Sequence, residues 1–308
     1  MINRIIIRIK LLQIVYSYYL KESKDLELTE KELMFSLQKS YDLYRYFLLL
    51  IAALTDAGQK RQDLRKHRYL ATSEEKHPNT RFVNNRFAEQ LRQNQELQQF
   101  ENEKGSIWIQ DDSNLIKNLL EQILDTDIYH KYLDSEDDYR SDREFWRKLF
   151  KDFISKQAQL FDFLEEKSIY WNDDVDIICS FVLKTIKQFD ETDGRDKKLL
   201  PMFKNEHDRE FAVQLLNQTI LHREEYSQWI DKYIRNWDLE RIATIDLYIM
   251  QIAIAELLAF PSIPISVTLN EYIDIAKFYS TPKSGLFING ILDTIVQDLK
   301  KENKLFKN

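Results

Sequence analysis

Arg4 and Arg8 stand four residues apart, so on a helix their guanidinium groups would share one face. That pairing suits a polyanion, because a guanidinium can fork onto phosphate oxygens and stack on a base. Further along the same segment, Tyr16 admits two readings: a ring in the core, or a hydroxyl at the binding surface. Towards the other end, Lys283 and Ser284 follow Thr281-Pro282 and precede an apolar stripe. Free amides and the helix dipole favour a phosphate at such a helix start. Phe287 either stacks an unpaired base or fills the core, and Asn289 either bonds a base edge or satisfies a buried carbonyl. Catalytic chemistry finds no comparable foothold. The histidines at 67, 77, 130, 207 and 222 are scattered, with no i, i+4 metal-binding pair. Neither a G-x-G-x-x-G, a phosphate-cradling GK[ST] loop nor a G-x-S-x-G elbow is present. Cys179 sits in the apolar run IICSFVL and reads as core. The expectation is a binding protein that is not an enzyme and uses no cofactor or metal.

The elements that must position these residues follow from composition. Five glycines and five prolines in 308 residues starve the chain of turn residues and favour helices with short connections. Eighteen Phe, sixteen Tyr and 44% hydrophobic residues supply the core. An all-α protein is expected. One cysteine excludes an intramolecular disulfide framework. Arg8 and Lys10 interrupt Ile5–Ile7 before a signal-peptide core can form, and Phe47–Leu54 is too short to span a bilayer. A soluble cytoplasmic protein with no membrane partner is the expectation. A net charge of −7 argues against indiscriminate nucleic-acid binding but allows a local site. Residues 1–20 carry cations and no acid, and Gln59–Arg68 (QKRQDLRKHR) is a second basic cluster. That cluster is either a solvated face or an extension of a nucleic-acid path. Asp134–Glu144 is the acidic counterweight.

Periodicity places Ile5, Ile9, Leu12, Tyr16 and Tyr19 on one buried face of the first helix, with Arg4 and Arg8 exposed beside it. Glu30–Ala57 reads as one long helix, and Thr80–Lys104 as a polar surface helix with a thin stripe of Phe87, Leu91 and Phe100. Asn114–Tyr132, Arg143–Lys167 and Val175–Phe189 are each helical in pattern. Near the end, Ser266 is expected to cap a helix burying Leu269, Ile273, Ala276 and Phe278. Phe287, Ile291 and Ile295 then form a stripe, and Gly290 suggests close backbone approach. The tetrapeptide Asp-Arg-Glu-Phe occurs at 142–145 and again at 208–211, an offset of 66. At that offset Leu149 meets Leu215, Phe163 meets Trp229, Trp171 meets Trp237 and Ile186 meets Ile252. This suggests that part of the C-terminal helical unit is duplicated.

The wording of the C-terminal run is specific. NEYIDIAK, a loop and FINGILD, within Ile265–Val296, resemble the closing signature of the NusB family of transcription antitermination factors, small all-helical RNA-binding proteins. RIATIDLYIMQIAIAEL, Arg241–Leu257, is similar to that family's central buried helix, and LLQIVYS, Leu11–Ser17, to its first. The resemblance spans roughly residues 1–20 and 206–300. It implies a NusB-like helical bundle formed by 1–20 and 206–308 and enlarged by a helical insertion, 21–205. It further implies binding of boxA-like single-stranded RNA through Asn3, Arg4, Arg8, Tyr16, Lys283, Ser284, Phe287 and Asn289. The partners it implies are a small-subunit ribosomal protein acting as NusE and the antitermination complex of RNA polymerase, which together promote transcription of ribosomal RNA operons. Two other functions stay open: a protein-interaction scaffold without RNA binding, and a non-catalytic RNA-binding subunit of a ribosomal RNA-modifying enzyme.

Overall fold

Long runs of helix-forming residues, punctuated by Asn, Asp and Thr, produce fifteen α-helices among the described residues. The structure is a computed structural model and describes residues 1–21, 24–109, 114–234 and 242–305. An isolated bridge, Ile2 to Phe203, is the only β-type pairing among them. The helices begin with α1 (Arg4–Leu20) and α2 (Leu26–Lys66). The chain forms two compact units: residues 38–202 with Met1, and residues 2–37 with 203–308. No helix of the described residues is long and apolar enough to cross a membrane.

The first unit is built on α2 from Gln38 onward, whose Leu43, Tyr44, Phe47, Leu50 and Leu54 are buried. It runs nine residues past the expected end at Ala57. Around it lie α3 (Ser73–Lys76), α4 (Arg86–Gln93), α5 (Gln95–Lys104), α6 (Leu115–Leu124), α7 (Asp127–Leu133), α8 (Tyr139–Asp152), α9 (Ala158–Lys167) and α10 (Val175–Gln188). Two indoles fasten the centre: Trp108 Nε1 donates to the Tyr46 carbonyl and Trp171 Nε1 to that of Lys39, each at 2.8 Å. The stretch expected as one surface helix is two helices. Asn85 and Asn94 each turn a side-chain oxygen onto a backbone amide, of Ala88 and Leu97, and start α4 and α5. Its apolar stripe is fully buried at Phe87, Leu91, Leu97 and Phe100.

The second unit comprises α1, the first turns of α2, α11 (Glu206–Leu221), α12 (Arg223–Ile234), α13 (Thr244–Ala259), α14 (Ile265–Tyr279) and α15 (Ser284–Lys301). The helix α13 is apolar on nearly every side and central to this unit: Ile249 through Leu257 are all buried and α1, α11, α12, α14 and α15 all pack on it. Asn217 on α11 donates to Glu30 of α2 at 2.7 Å. Several local expectations are corrected here. Helix α14 begins at Ile265 behind Pro264, without a side-chain cap from Ser266. Phe278 is exposed, because it lies well round α14 from Tyr272 and Ala276. A Cβ on Gly290 would meet nothing within 4 Å, so no close backbone approach requires glycine there, and one on Gly285, packed against Lys277 and Ile273 of α14, would make ordinary contacts.

The repeat has a structural counterpart. Shifted by 66 residues, α8, α9 and α10 become 205–218, 224–233 and 241–254, against 206–221, 223–234 and 244–259 for α11, α12 and α13. Helix α8 packs on α10 as α11 packs on α13. The aspartates of the shared tetrapeptide also do matching work. Asp142 holds Arg86, the first residue of α4, and Asp208 holds Arg4, the first residue of α1. Both arginines follow an asparagine N-cap, Asn85 and Asn3. Trp237, matched to Trp171, and Arg241 lie outside the described residues.

Candidate nucleic-acid interface

Helix α1 runs antiparallel to α13, since Arg8 meets Glu256 while Tyr16 meets Tyr248. Asn3 caps α1: its Oδ1 accepts the Ile6 amide at 3.0 Å. Arg4 follows, with its guanidinium 4.8 Å above the Phe211 ring and Nε 3.6 Å from Asp208. Its side chain stays 39% exposed, so the flat face on Phe211 is fixed while its edge remains available to a phosphate or a base.

Arg8 is not where periodicity put it. Its side chain is 2% exposed, against the expectation of an open face. Nε and Nη2 fork onto the Glu256 carboxylate at 2.8 and 2.7 Å, and Nη1 reaches Glu271 at 3.2 Å. Glu256 also accepts the hydroxyls of Thr268 and Tyr272, each at 2.9 Å. Burial on its own would lower the Arg8 pKa, but the bond to Glu256 reverses the sign and holds it above its ordinary value. Tyr272 is likewise pushed well above its ordinary value, first by burial and then by the Glu256 charge. Arg8 is therefore the clasp joining α1, α13 and α14 rather than an open phosphate ligand. With it the buried face of α1 turns: Ile6, Ile7, Leu11, Ile14, Val15 and Tyr18 are buried, while Ile5 and Tyr16 are exposed.

The other candidates gather near the opposite end of α13. Tyr16 packs edge-on against Tyr248 with centroids 5.9 Å apart, leaving the rest of the ring in solvent. Two residues before Tyr248, Asp246 accepts the Ser284 hydroxyl at 2.8 Å. Ser284 is buried, and it also bonds the hydroxyls of Ser280 and Thr281. It thus fixes the turn into α15 rather than facing a ligand. Lys283 precedes α15 and is exposed, with no side-chain cap at that helix start. Phe287 and Asn289 are half-buried on the first turns of α15, whose core stripe is Ile288, Ile291, Leu292, Ile295 and Leu299. The structure brings Tyr16 and the Lys283–Ser284 turn to one end of α13. Asn3 and Arg4 lie about 18 Å away along α1, twelve residues at about 1.5 Å each.

Phe211, Asp208, Asp246 and Tyr248 were not singled out as site residues. The Asp-Arg-Glu-Phe tetrapeptide was visible as a repeat, yet nothing local identifies it as the floor beneath Arg4. Among the described residues no cluster of His, Cys, Asp and Glu could hold a metal ion.

This arrangement can be set against known proteins. The model of the NusB family matches residues 175–297. The transcription antitermination protein NusB of Salinibacter ruber is 39% identical over 132 residues, 41% of this chain and 82% of that protein. The chain belongs to the NusB family. A second NusB, from Methylacidiphilum infernorum, is 38% identical over 109 residues, 34% of this chain and 76% of its own length. The NusB of Chloroherpeton thalassium is 41% identical over 100 residues, 32% of this chain and 47% of that protein. No solved structure matches. The NusB match opens at the first residue of α10 and closes within α15, taking in Asp208, Phe211, Asp246, Glu256 and the Lys283–Asn289 segment.

Proposed function

We propose that this NusB-family chain is a cytoplasmic transcription antitermination factor that binds a boxA-like single-stranded RNA. It acts together with a small-subunit ribosomal protein in the role of NusE. The pair joins elongating RNA polymerase and favours full transcription of ribosomal RNA operons. The role is non-catalytic. Three relatives named as transcription antitermination proteins support the general part of this reading. One observation carries the RNA part: the Arg4 guanidinium, stacked on Phe211 and tethered by Asp208, with its edge in solvent at the start of α1. Such a preset cation forms charge-assisted bonds to phosphate at small entropic cost. Lys283 supplies a second phosphate contact, and Tyr16, Phe287 and Asn289 meet the bases and the partner protein. Asn3 and the buried Arg8 and Ser284 hold these groups in place.

The test is fluorescence anisotropy with a labelled boxA-like RNA across a salt series, with and without the NusE partner. Wild type should bind selectively, more tightly with partner, and more weakly as salt rises. Arg4→Ala should lose about tenfold in affinity, the worth of one bond to a charged group. Its melting temperature should move by less than about 2 °C, since the exposed pair with Asp208 stabilises little. Unchanged RNA affinity in Arg4→Ala would refute the arginine site.

A further inference from the structure

Two cations beside the end of α1 are held in place without being paired. Arg223, the first residue of α12, and Lys24 line one surface hollow of about 290 Å³ within the second unit. Tyr19 of α1 gathers them. The Arg223 guanidinium lies 4.1 Å over its ring, and the Lys24 ammonium is 6.0 Å from the same centroid. Neither cation makes a hydrogen bond or an ion pair among the described residues. Glu224 and Glu225 also line the hollow, but Glu225 turns to His222 at 3.7 Å and Glu224 reaches neither cation. The Tyr19 hydroxyl is buried and has no partner. Burial pushes it up to about 12, against the pull of the Arg223 charge, so at neutral pH it adds no negative charge. Like charges gathered on one ring repel each other, and an anion between them removes that repulsion.

The hollow adjoins the face that the RNA reading uses. Tyr16 and Tyr19 stand three residues apart on α1 and pack on the same ring, that of Tyr248, at 5.9 and 4.9 Å between centroids. Arg223 also repeats the setting of Arg4. In both, an aromatic ring fixes the flat face of a guanidinium and leaves its edge for a phosphate. A strand that lays one base on Tyr16 needs its flanking phosphates anchored. On the Tyr19 side the hollow supplies two unpaired cations for that purpose.

We propose that Arg223 and Lys24 form a second phosphate subsite, which holds the RNA backbone beside the base that meets Tyr16. The inference rests on the RNA reading and extends its path by one anchored phosphate. Arg223 forks onto two phosphate oxygens, and Lys24 adds a point charge to the same group. Tyr19 is a positioning residue: its ring presets the guanidinium, so little side-chain entropy is lost on binding.

The test uses the full chain and a labelled boxA-like RNA, read by anisotropy across a salt series without the NusE partner. Arg223→Gln should lose about tenfold in affinity. The double variant Lys24→Gln/Arg223→Gln should also lose about 0.7 from the slope of log affinity against log salt, the share of one phosphate on a single strand. Tyr19→Phe, which keeps the ring, should bind as wild type does. Tyr19→Leu should weaken binding in the wild type and leave Arg223→Gln unchanged, because the ring acts through that arginine. Arg223 and Lys24 are exposed, so melting of their variants should coincide with wild type. A double variant with wild-type affinity and slope, while Arg4→Ala is weakened, would overturn the subsite and leave the RNA reading standing. A wild type that binds no boxA-like RNA would overturn both. Loss of affinity in the double variant only when the NusE partner is added would overturn the phosphate assignment in favour of a protein contact.

Discussion

Replacing Arg8 by methionine tests the account of the second unit most severely. The substitution keeps the length of the side chain and its apolar stem but removes the guanidinium. Glu256 then loses the hydrogen bonds from Arg8 Nε and Nη2 and keeps those from Thr268 and Tyr272. A carboxylate with no exposed surface loses the guanidinium forked onto it. Removing one partner of a buried pair costs about 3–5 kcal/mol, most of it from the stranded charge. In a unit of this size, about 2–4 °C is lost per kcal/mol, so melting of the unit should fall by roughly 10 °C. The double variant Arg8→Met/Glu256→Gln removes both charges; because Thr268 and Tyr272 bond different carboxylate oxygens, the amide oxygen accepts one hydroxyl and the amide NH2 donates to the other. It should recover more than half of the loss. The assay is thermal unfolding followed by circular dichroism on all three variants, with wild type. An Arg8→Met protein that melts within about 2 °C of wild type would refute the clasp, as would a double variant no more stable than the single. The same series separates Arg8 from Arg4, whose loss should leave melting nearly unmoved and RNA binding impaired.

Other consequences are local. A Cβ on Gly58 would lie 2.8 Å from the Phe82 ring, which is locked among Tyr129, Phe145 and Trp146. Gly58→Ala should therefore destabilise the first unit by about 1–3 kcal/mol, measured by urea unfolding. Gly290 has open space around its Cβ position and no positive φ, so Gly290→Ala should stabilise by about 1 kcal/mol in the same measurement. Burial, with a smaller push from Asp176, raises the Cys179 thiol to about 12. The native protein should resist iodoacetamide at pH 8, where an exposed cysteine is partly thiolate, and should react in urea; mass spectrometry decides between the two.

Where a helix has one apolar stripe, its place and face were readable from local pattern. The cores of α8 and α10, and the 66-residue recurrence linking them to α11 and α13, belong to this class. Local pattern failed where a charge is buried. Counting arginine as exposed turned α1 by about one residue, because the acid that pays for its burial lies 248 residues away. A hint existed: Glu256 sits inside the apolar run IMQIAIAELL, and a lone acid there needs a cation from elsewhere. For Ser284 the logic of the helix start was sound, but its hydroxyl turns inward to Asp246, a pairing set by tertiary packing. The split of 80–104 into two helices was written in Asn85 and Asn94, whose caps local reading passed over as general polarity.

The clasp between Arg8 and Glu256 also bears on how the chain is made. The second unit takes α1 from the beginning of the sequence and α11 to α15 from its end. A ribosome adding about 5–20 residues per second needs roughly 10–50 s to travel from one partner of that ion pair to the other. Throughout that interval Ile6, Ile7, Leu11, Ile14 and Val15 have no α13 to cover them, whereas the first unit, which ends at Met202, is completely synthesised before Glu256 is reached. The order of synthesis thus obliges the first unit to collapse early, with a greasy, cationic leading helix left waiting. That helix is a natural substrate for a holding chaperone.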